Sequence, residues 1–312
     1  MRRDYLSFFT FLLLITMITS CEVVVEMEED SQIIVQSYFS QDQDLIVYVT
    51  ESFSIGSNKP ERIVENASVG LYNGDDLTFI TTLQLSQKIG EESFYTTVDF
   101  QPEINTPYKL SVDVPGFSPI HAINSIPDTV SHVVELVDNS VTVFDEGSTL
   151  TVDFEVDVMI NDPYEDENYY HILFFQELIE VQLGVDGQPV VDTILMDKQD
   201  LFIQPSSKSL SIQQIPDEPS FILNDKELNG ENINIRFTGH YNYDKNLYQK
   251  GEFLIEMRTV TQAYYEHMKS LTSKPLPGVI DNNNYYYSGN VTNAGGYFLG
   301  YSSSYKRLQF LF

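Results

Sequence analysis

Alternation of apolar and polar residues with a period of two runs through most of this chain. Residues 148–160, STLTVDFEVDVMI, place four apolar side chains on one side and three carboxylates on the other: Val152, Phe154, Val156 and Val158 against Asp153, Glu155 and Asp157. Successive side chains of a β-strand point to opposite faces. This segment is therefore predicted to be a strand with one buried face and one solvated, acidic face.

Shorter runs of the same kind fill the first half of the chain. Six segments rich in β-branched and aromatic residues, separated by turn-forming residues, are predicted strands: 32–39, 45–50, 67–72, 77–83, 94–100 and 107–114. Between two of them, Asn73-Gly74 predicts a hairpin turn, because this pair tolerates the positive φ that tight turns require. Short strands at close spacing are typical of an antiparallel sandwich, which we place at residues 32–128.

The second half, residues 129–312, is predicted to be a larger β-rich domain. Its further strands are a long hairpin turning at Asp186-Gly187, two segments at 232–241 and 251–260, and the C-terminal RLQFLF.

One helix is predicted near the C-terminus, at TVTQAYYEHMKSL, where Thr259 and Gln262 have the spacing of a capping box. Apolar or aromatic residues then recur at helical spacing along one face: Val260, Ala263, Tyr264, His267, Met268 and Leu271. Such a stripe predicts core packing rather than a binding groove.

A bacterial export signal is predicted at residues 1–20. Met1-Arg2-Arg3 gives a basic start, residues 5–18 are an apolar run, and small residues follow. The run has 14 residues, whereas a membrane-spanning helix needs about 20. A short transmembrane anchor is the alternative.

Cys21 is the single cysteine of the chain, so no intramolecular disulfide can form. Ile18-Thr19-Ser20-Cys21 resembles a lipobox, at which bacteria attach diacylglycerol to the thiol and cleave before the cysteine. We therefore predict lipidation of Cys21, with acyl chains such as palmitate, followed by an acidic tether at 21–31. A leftover or buried thiol is the alternative.

The charge of the chain excludes one class of partner. Removing residues 1–20 takes away Arg2, Arg3 and Asp4 and leaves 15 basic and 45 acidic residues, a net charge of −30. Such a field repels nucleic acid and anionic lipid surfaces, so DNA or RNA binding is not expected. Attachment to a membrane would have to come from the lipid, and two or more acyl chains suffice for stable anchoring.

No signature of an enzyme class is found. The motifs HExxH, GxSxG, GxGxxG and GxxxxGK[ST] are missing, and the five histidines lack ligand spacing: His121, His132, His171, His240 and His267. We predict no catalytic residue, metal or cofactor. A hydrolase with paired carboxylates is the remote alternative, and it requires carboxyl groups about 5 to 10 Å apart in a cleft.

Two polar segments are candidate binding sites. Residues 161–168, NDPYEDEN, offer oxygens to Ca²⁺ but lack EF-hand spacing, which favours an acidic loop. In DNNNYYYS at 281–288, three consecutive tyrosines cannot all face one core. Tyr285, Tyr286 and Tyr287 are therefore candidate binding residues for sugar or protein, with a polar loop holding one buried tyrosine as the alternative.

Several stretches in order resemble a Bacteroidetes lipoprotein family known as DUF4249. They are the cysteine followed by acids and then IIVQSYFS, the segment from ENASVGLYNGDD to INSIPD, and the late YYEHMKSL with SKPLPGVI and GNVTNAGGYFLGYSSS. In the last stretch, the matching residues are Pro275, Pro277, Asn290, Val291, Gly295, Gly296, Phe298 and Gly300. The predicted fold class is all-β and mainly antiparallel. An N-terminal immunoglobulin/transthyretin-like β-sandwich is followed by a larger β-rich domain with one short helix near the C-terminus.

The resemblance implies an outer-membrane lipoprotein, often encoded beside TonB-dependent receptors, with no catalytic residues to carry over. The expected function is a non-catalytic accessory or binding component of such a receptor, and the alternative is a free-standing surface module that binds glycan or matrix. In such bacteria, acids behind the lipidated cysteine resemble a signal for export to the cell surface, and Glu22 to Asp30 are either that signal or a solvated tether. Asp128-Thr129-Val130 and Asp192-Thr193-Ile194 resemble their short O-glycosylation motif.

Overall fold

A computed structural model describes residues 31–53, 60–86, 93–98, 100–163, 167–183, 189–196, 201–206, 212–226, 230–272 and 289–310. The first eight strands are β1 (Ser31–Phe39), β2 (Leu45–Phe53), β3 (Arg62–Ile63), β4 (Ser68–Asn73), β5 (Phe79–Ser86), β6 (Phe94–Thr97), β7 (Tyr108–Asp113) and β8 (Ile120–Asn124). The next eight are β9 (His132–Leu136), β10 (Thr142–Glu146), β11 (Thr149–Asn161), β12 (Tyr169–Leu183), β13 (Pro189–Leu195), β14 (Leu201–Pro205), β15 (Gln213–Gln214) and β16 (Ser220–Asn224). The chain continues with β17 (Asn232–Asp244), β18 (Tyr248–Val260), the helix α1 (Gln262–Thr272) and β19 (Gly295–Leu308).

The all-β prediction is confirmed. A large sheet has the strand order β15-β16-β12-β18-β19-β1-β2-β6-β5-β4-β7-β8, with β13 beside β12 and β3 beside β2. A five-stranded sheet has the order β10-β11-β17-β14, with β9 also paired to β11. Within the described residues, no helix is both long and apolar enough to cross a bilayer.

Two main cores follow from this arrangement. In the first, side chains of β1 and β2 pack against those of β4, β7 and β8, so the N-terminal half of the large sheet closes on itself. The second core lies between the five-stranded sheet and strands β12 and β18 of the large sheet, as in a sandwich. The first core contains residues up to Ile126 and the second begins at Val130, but Phe298 of β19 belongs to the first. The domain division near Asp128 stays a prediction.

Strand β19 joins the two halves of the large sheet. Its first part pairs in parallel with β1, with Val35 opposite Gly296, and its second part pairs antiparallel with β18. The ring of Phe298 stacks on Phe39, with centroids 4.4 Å apart. We call this contact between β1 and the first part of β19 the seam.

Several residues that carried the family resemblance lie at or beside the seam, whereas Pro275 and Pro277 fall outside the described residues. Asn290 accepts a hydrogen bond from the Phe298 N–H at 2.9 Å and donates to the carbonyl oxygens of Phe298 and Ile123. Gly296 has a φ of +102°, and a Cβ there would lie 2.0 Å from the Val35 carbonyl oxygen. A Cβ on Gly300 would lie 2.1 Å from the Ser125 carbonyl oxygen. The two glycines are therefore explained by neighbouring backbones that approach too closely to leave room for a Cβ.

Two local predictions were wrong about which residues form the turn and the helix cap. The hairpin between β4 and β5 forms, but the positive φ falls on Leu77, and the Asn73 side chain accepts hydrogen bonds from the N–H groups of Asp75 and Asp76. The helix begins one residue after Thr261, whose hydroxyl accepts a bond from the Tyr264 N–H at 3.3 Å. Thr259, the predicted cap, lies in β18 instead, because the strand continues through Val260.

Candidate binding face

The sites predicted from the sequence lie mostly outside the described residues. Cys21 and the three tyrosines, Tyr285, Tyr286 and Tyr287, fall there. Thr129 lies exposed between β8 and β9, and its N–H donates to the Asp128 carboxylate at 2.8 Å. Thr193 lies in β13.

The titratable residues within the described ranges form no group of three or more His, Cys, Asp or Glu arranged to hold a metal ion. Three histidines are buried: His132, His171 and His267. In the segment NDPYEDEN, Asp162 accepts hydrogen bonds from the Tyr170 hydroxyl and the Gly230 N–H. Asp162 thus links separate parts of the chain.

A buried polar network lies beneath α1. The Arg258 guanidinium makes two hydrogen bonds to Glu256, at 2.6 and 3.0 Å, and a third to the Tyr264 hydroxyl at 3.1 Å. That hydroxyl also bonds the Nδ1 atom of His171 at 2.9 Å. Arg258 also lies over the Tyr301 ring, 4.4 Å from its centroid.

The protonation states in this network follow from burial. Burial, with the nearby charge of Arg258, holds the pKa of His171 well below its ordinary value, so the ring is neutral. Burial acts to lower the pKa of Arg258, but interactions with Tyr264 and Glu256 outweigh it and raise the pKa. The network therefore contains one satisfied ion pair and a neutral histidine, and it holds α1 on the sheet. The predicted stripe is packing, as its buried Tyr264, His267 and Met268 show.

One candidate binding surface is the outer face of the five-stranded sheet. We define this outer face by the residues of β10, β11, β17 and β14 that point away from the second core: Thr142, Phe144, Thr151, Asp153, Glu155, Asp157, Arg236, Thr238, His240, Asn242, Phe202 and Gln204. Their register places them in rows, for example Thr142, Asp153, His240 and Phe202 in one row. Strand alternation explains the face, since Val152, Phe154 and Val156 point inward and are fully buried.

Basic side chains of β17 contact the carboxylates of β11 on the outer face. Arg236 binds both oxygens of Asp157, at 2.8 and 2.7 Å, and lies 3.8 Å from Glu155. The Nδ1 atom of His240 lies 2.6 Å from Asp153. The three carboxylates predicted to share one face do so, on an open sheet surface with basic partners.

Two exposed phenylalanines flank these pairs. Phe144 on β10 is 47% exposed and Phe202 on β14 is 53% exposed. Three strand spacings separate β10 from β14, so about 14 Å lies between the two strands. The face therefore offers aromatic contacts at both sides of a row of neutral polar and paired charged groups, a composition typical of binding surfaces.

Sequence reasoning identified only the β11 part of this face. The strands at 142–146 and 201–205 are not predicted from the sequence, because VTVFDE and LFIQP contain consecutive apolar residues and show no sustained alternation. These strands are also too short for a clear period. The pairing of Arg236 and His240 with the carboxylates of β11 depends on the register between strands about 80 residues apart in sequence.

Comparisons with known proteins define the family but not the activity. Residues 18–307 match the family described as Domain of unknown function (DUF4249). No curated protein matches the chain. One similar solved structure is the C-terminal domain of the Streptococcus pyogenes antigen I/II-family protein AspA (11% identity, covering 74% of this chain and 94% of that chain, TM-score 0.14). Another is the collagen binding domain of Erysipelothrix rhusiopathiae surface protein RspB (7% identity, covering 90% and 96%, TM-score 0.18).

TM-scores this low carry no argument about fold or function. The family match does not depend on them, and it extends over nearly the whole sequence, from the cysteine region to the second half of β19. This chain therefore belongs to the DUF4249 family.

Proposed function

We propose that this protein is a non-catalytic binding protein of the outer membrane that works as an accessory to a TonB-dependent receptor. The outer face, with Phe144 and Phe202 exposed beside paired charges, is the observation that carries the binding role. Exposed aromatic side chains are costly to leave in water and are common anchors at interfaces. The three tyrosines at 285–287 remain a second candidate contact.

A lipid on Cys21 is the proposed anchor. The single cysteine follows a short apolar run and small residues, which is the placement that lipidation requires. Anchoring confines protein and receptor to one surface and raises their effective concentration toward the millimolar range, so a weak contact suffices.

The anchor is tested by cell fractionation of a Cys21→Ala variant. We expect the variant to move from the membrane to the soluble fraction. Retention at the membrane after a high-salt wash would contradict lipid anchoring and favour a retained apolar anchor or a protein partner.

The binding role is tested by affinity purification of the tagged protein from its own host. We expect a receptor to be recovered with the wild type and lost with Phe144→Ser/Phe202→Ser. Phe79→Ser is the matched control, because Phe79 is 54% exposed but lies on β5 of the other sheet. A triple Tyr→Ser variant at 285–287 runs alongside. Loss with this variant alone would assign the contact to the tyrosines instead.

A free-standing module that binds glycan is the second candidate function. The outer face favours it through neutral hydrogen-bonding groups, namely Thr238 and Asn242 on β17, between the two phenylalanine strands, and Gln204 beside Phe202 on β14. Sugars are bound by aromatic faces and such groups. Recovery of no receptor, together with saturable polysaccharide binding that Phe144→Ser/Phe202→Ser abolishes, would favour this function over the first.

A further inference from the structure

The large sheet has a notch along one edge of β12. Strand β16 pairs with β12 as far as Leu173, opposite Ser220, and β13 pairs with it from Glu177 onward, opposite Leu195. Between them, the Phe174 N–H donates to the Pro219 carbonyl oxygen at 3.0 Å, and the Met196 N–H donates to the Gln176 carbonyl oxygen at 2.8 Å. The ends of two strands therefore face each other across an interruption of three residues, 174–176.

A cavity of about 320 Å³ occupies this notch. Its lining is mainly apolar, with one carboxylate: Leu173, Phe174, Phe175, Leu195, Met196 and Glu218. The side chains of Phe174 and Met196 are buried, whereas Leu195 is 56% exposed. An apolar surface thus runs from the solvent into the fold. The volume is at the lower end of the range for ligand sites and suits a single ring or short chain.

The charge at the notch is negative. Glu218 is exposed, and within the described part of the chain no Lys or Arg forms a salt bridge with it; the Ser220 hydroxyl donates to it at 3.4 Å. Glu177, the register partner of Leu195, does not line the cavity, because its carboxylate accepts a hydrogen bond from the Glu252 N–H of β18 at 3.2 Å, on the opposite edge of β12. Glu218 is therefore the charged group among the residues that line the cavity. The chain as a whole has a net charge of −29. A ligand that combines an apolar group with a positive charge is therefore complementary to this site.

We propose that the notch receives an apolar side chain that a partner protein presents beside a basic residue. Such a pocket, apolar inside and charged at its margin, is the usual seat of an anchoring residue at an interface. The notch lies on the large sheet and the outer face on the other sheet, so this inference goes beyond the proposed function and does not depend on it.

The test uses three small probes that share a phenyl ring and a three-carbon chain: 3-phenylpropylammonium, 3-phenylpropanol and 3-phenylpropionate. The protein is the full chain with Cys21→Ala, labelled at the methionine methyl groups and studied by NMR without detergent. The Met196 methyl resonance, assigned with Met196→Leu, reports the cavity. With probes at up to about 20 mM, as suits ligands of this size, we expect the shift to saturate first with the ammonium, then with the alcohol, and last with the carboxylate.

Glu218→Gln separates the apolar and charged contributions. Because Glu218 is exposed, this substitution should leave the fold intact. It should weaken binding of the ammonium by about twofold to fivefold and leave the affinity for the alcohol unchanged. Glu146→Gln, an exposed change on β10 of the other sheet, should change neither the affinity for the ammonium nor that for the alcohol. No Met196 shift with the alcohol or the ammonium would overturn the proposal. Equal or tighter binding of the carboxylate would overturn it too, and would point to an anionic amphiphile as the ligand.

Discussion

The Tyr264 hydroxyl shows how a single atom organises the network beneath α1. A guanidinium can only donate hydrogen bonds, so the hydroxyl accepts from Arg258, and it shares a second hydrogen bond with Nδ1 of His171. The other ring nitrogen of His171, Nε2, is buried without a partner among the described residues, so the Tyr264 hydroxyl is the hydrogen-bond partner of this ring there. This helix contact depends on directional hydrogen bonds, which the apolar stripe in the sequence does not reveal.

Replacement of Tyr264 by Phe should lower the free energy of unfolding by about 1–3 kcal/mol, because it leaves Arg258 and His171 each short of one buried partner. Urea denaturation measures the change. Tyr265→Phe is the matched control: its ring is equally buried, but among the described residues its hydroxyl accepts a single long hydrogen bond, from Asn224 at 3.4 Å. Equal losses in the two variants would show that the hydroxyl at the centre of the network contributes no more than one with a single weak bond.

Asp225 should make stability depend on pH. Burial raises the pKa of this carboxyl to about 6 and the adjacent Asp162 adds to the increase, although the backbone N–H of Asn168 opposes it. The ordinary value, 3.8, applies to the unfolded chain. Between pH 4 and 6 the folded protein thus retains a proton that the unfolded chain has lost, so stability increases as the pH falls through 6.

Lowering the pH from 7.5 to 5.0 should therefore raise the free energy of unfolding by about 1 kcal/mol more in the wild type than in Asp225→Asn. Denaturation at the two pH values gives the difference. Asp113→Asn, an exposed change on β7, should behave as the wild type does. Parallel pH profiles for the wild type and Asp225→Asn would refute the assignment.

At the scale of the elements, the sequence predicted the long strands and short ones such as β4, β6 and β7, but it missed most of the five-residue strands. Alternation over thirteen residues identified β11, because one buried face and one solvated face leave a clear period. Strands such as β14 and β16 have five residues each, and β16 is buried on both faces, so no period is visible. The short strands depend on their neighbours rather than on their own residues.

The candidate site was predictable only in part, for a related reason. The acidic side of β11 could be predicted, but the pairing of Asp157 with Arg236 depends on register between β11 and β17. Local sequence does not specify which strand lies beside which. The exposed aromatic residues of the outer face therefore appear only once the sheet is assembled.

Because β1 and β19 approach closely at the seam, one added methyl group there should strongly destabilise the fold. Gly296→Ala should lower the free energy of unfolding by at least ~3 kcal/mol, because the new Cβ would collide with the Val35 carbonyl and push β19 away from β1. Gly116→Ala is the control, since Gly116 has a similar φ of +91° with open space around it. That variant should lose only about 1–2 kcal/mol, the cost of the backbone conformation. Similar losses at both positions would mean that the seam tolerates the collision.

At the scale of the whole molecule, the first core should need the end of the chain. A variant that ends at residue 288 lacks Phe298, which is fully buried among residues of β1, β2 and β7. We expect it to lose hydrogen-exchange protection even in β4 and β7, which do not pair with β19. A chain ending at residue 310 is the control and should keep its protection. Unchanged protection in the shorter chain would instead establish residues 32–128 as an independent domain.

The seam also sets the order of events during biosynthesis. Val35 emerges from the ribosome early, but its partner Gly296 follows about 260 residues later. Pairings this distant close slowly, and domains that can fold alone usually do so as they are made. If the first core needs β19, as predicted above, we expect the first half to stay incompletely folded until β19 has been synthesised. A nascent chain that stays open until its end has been made remains threadable, which is the state that passage through a narrow translocation channel requires.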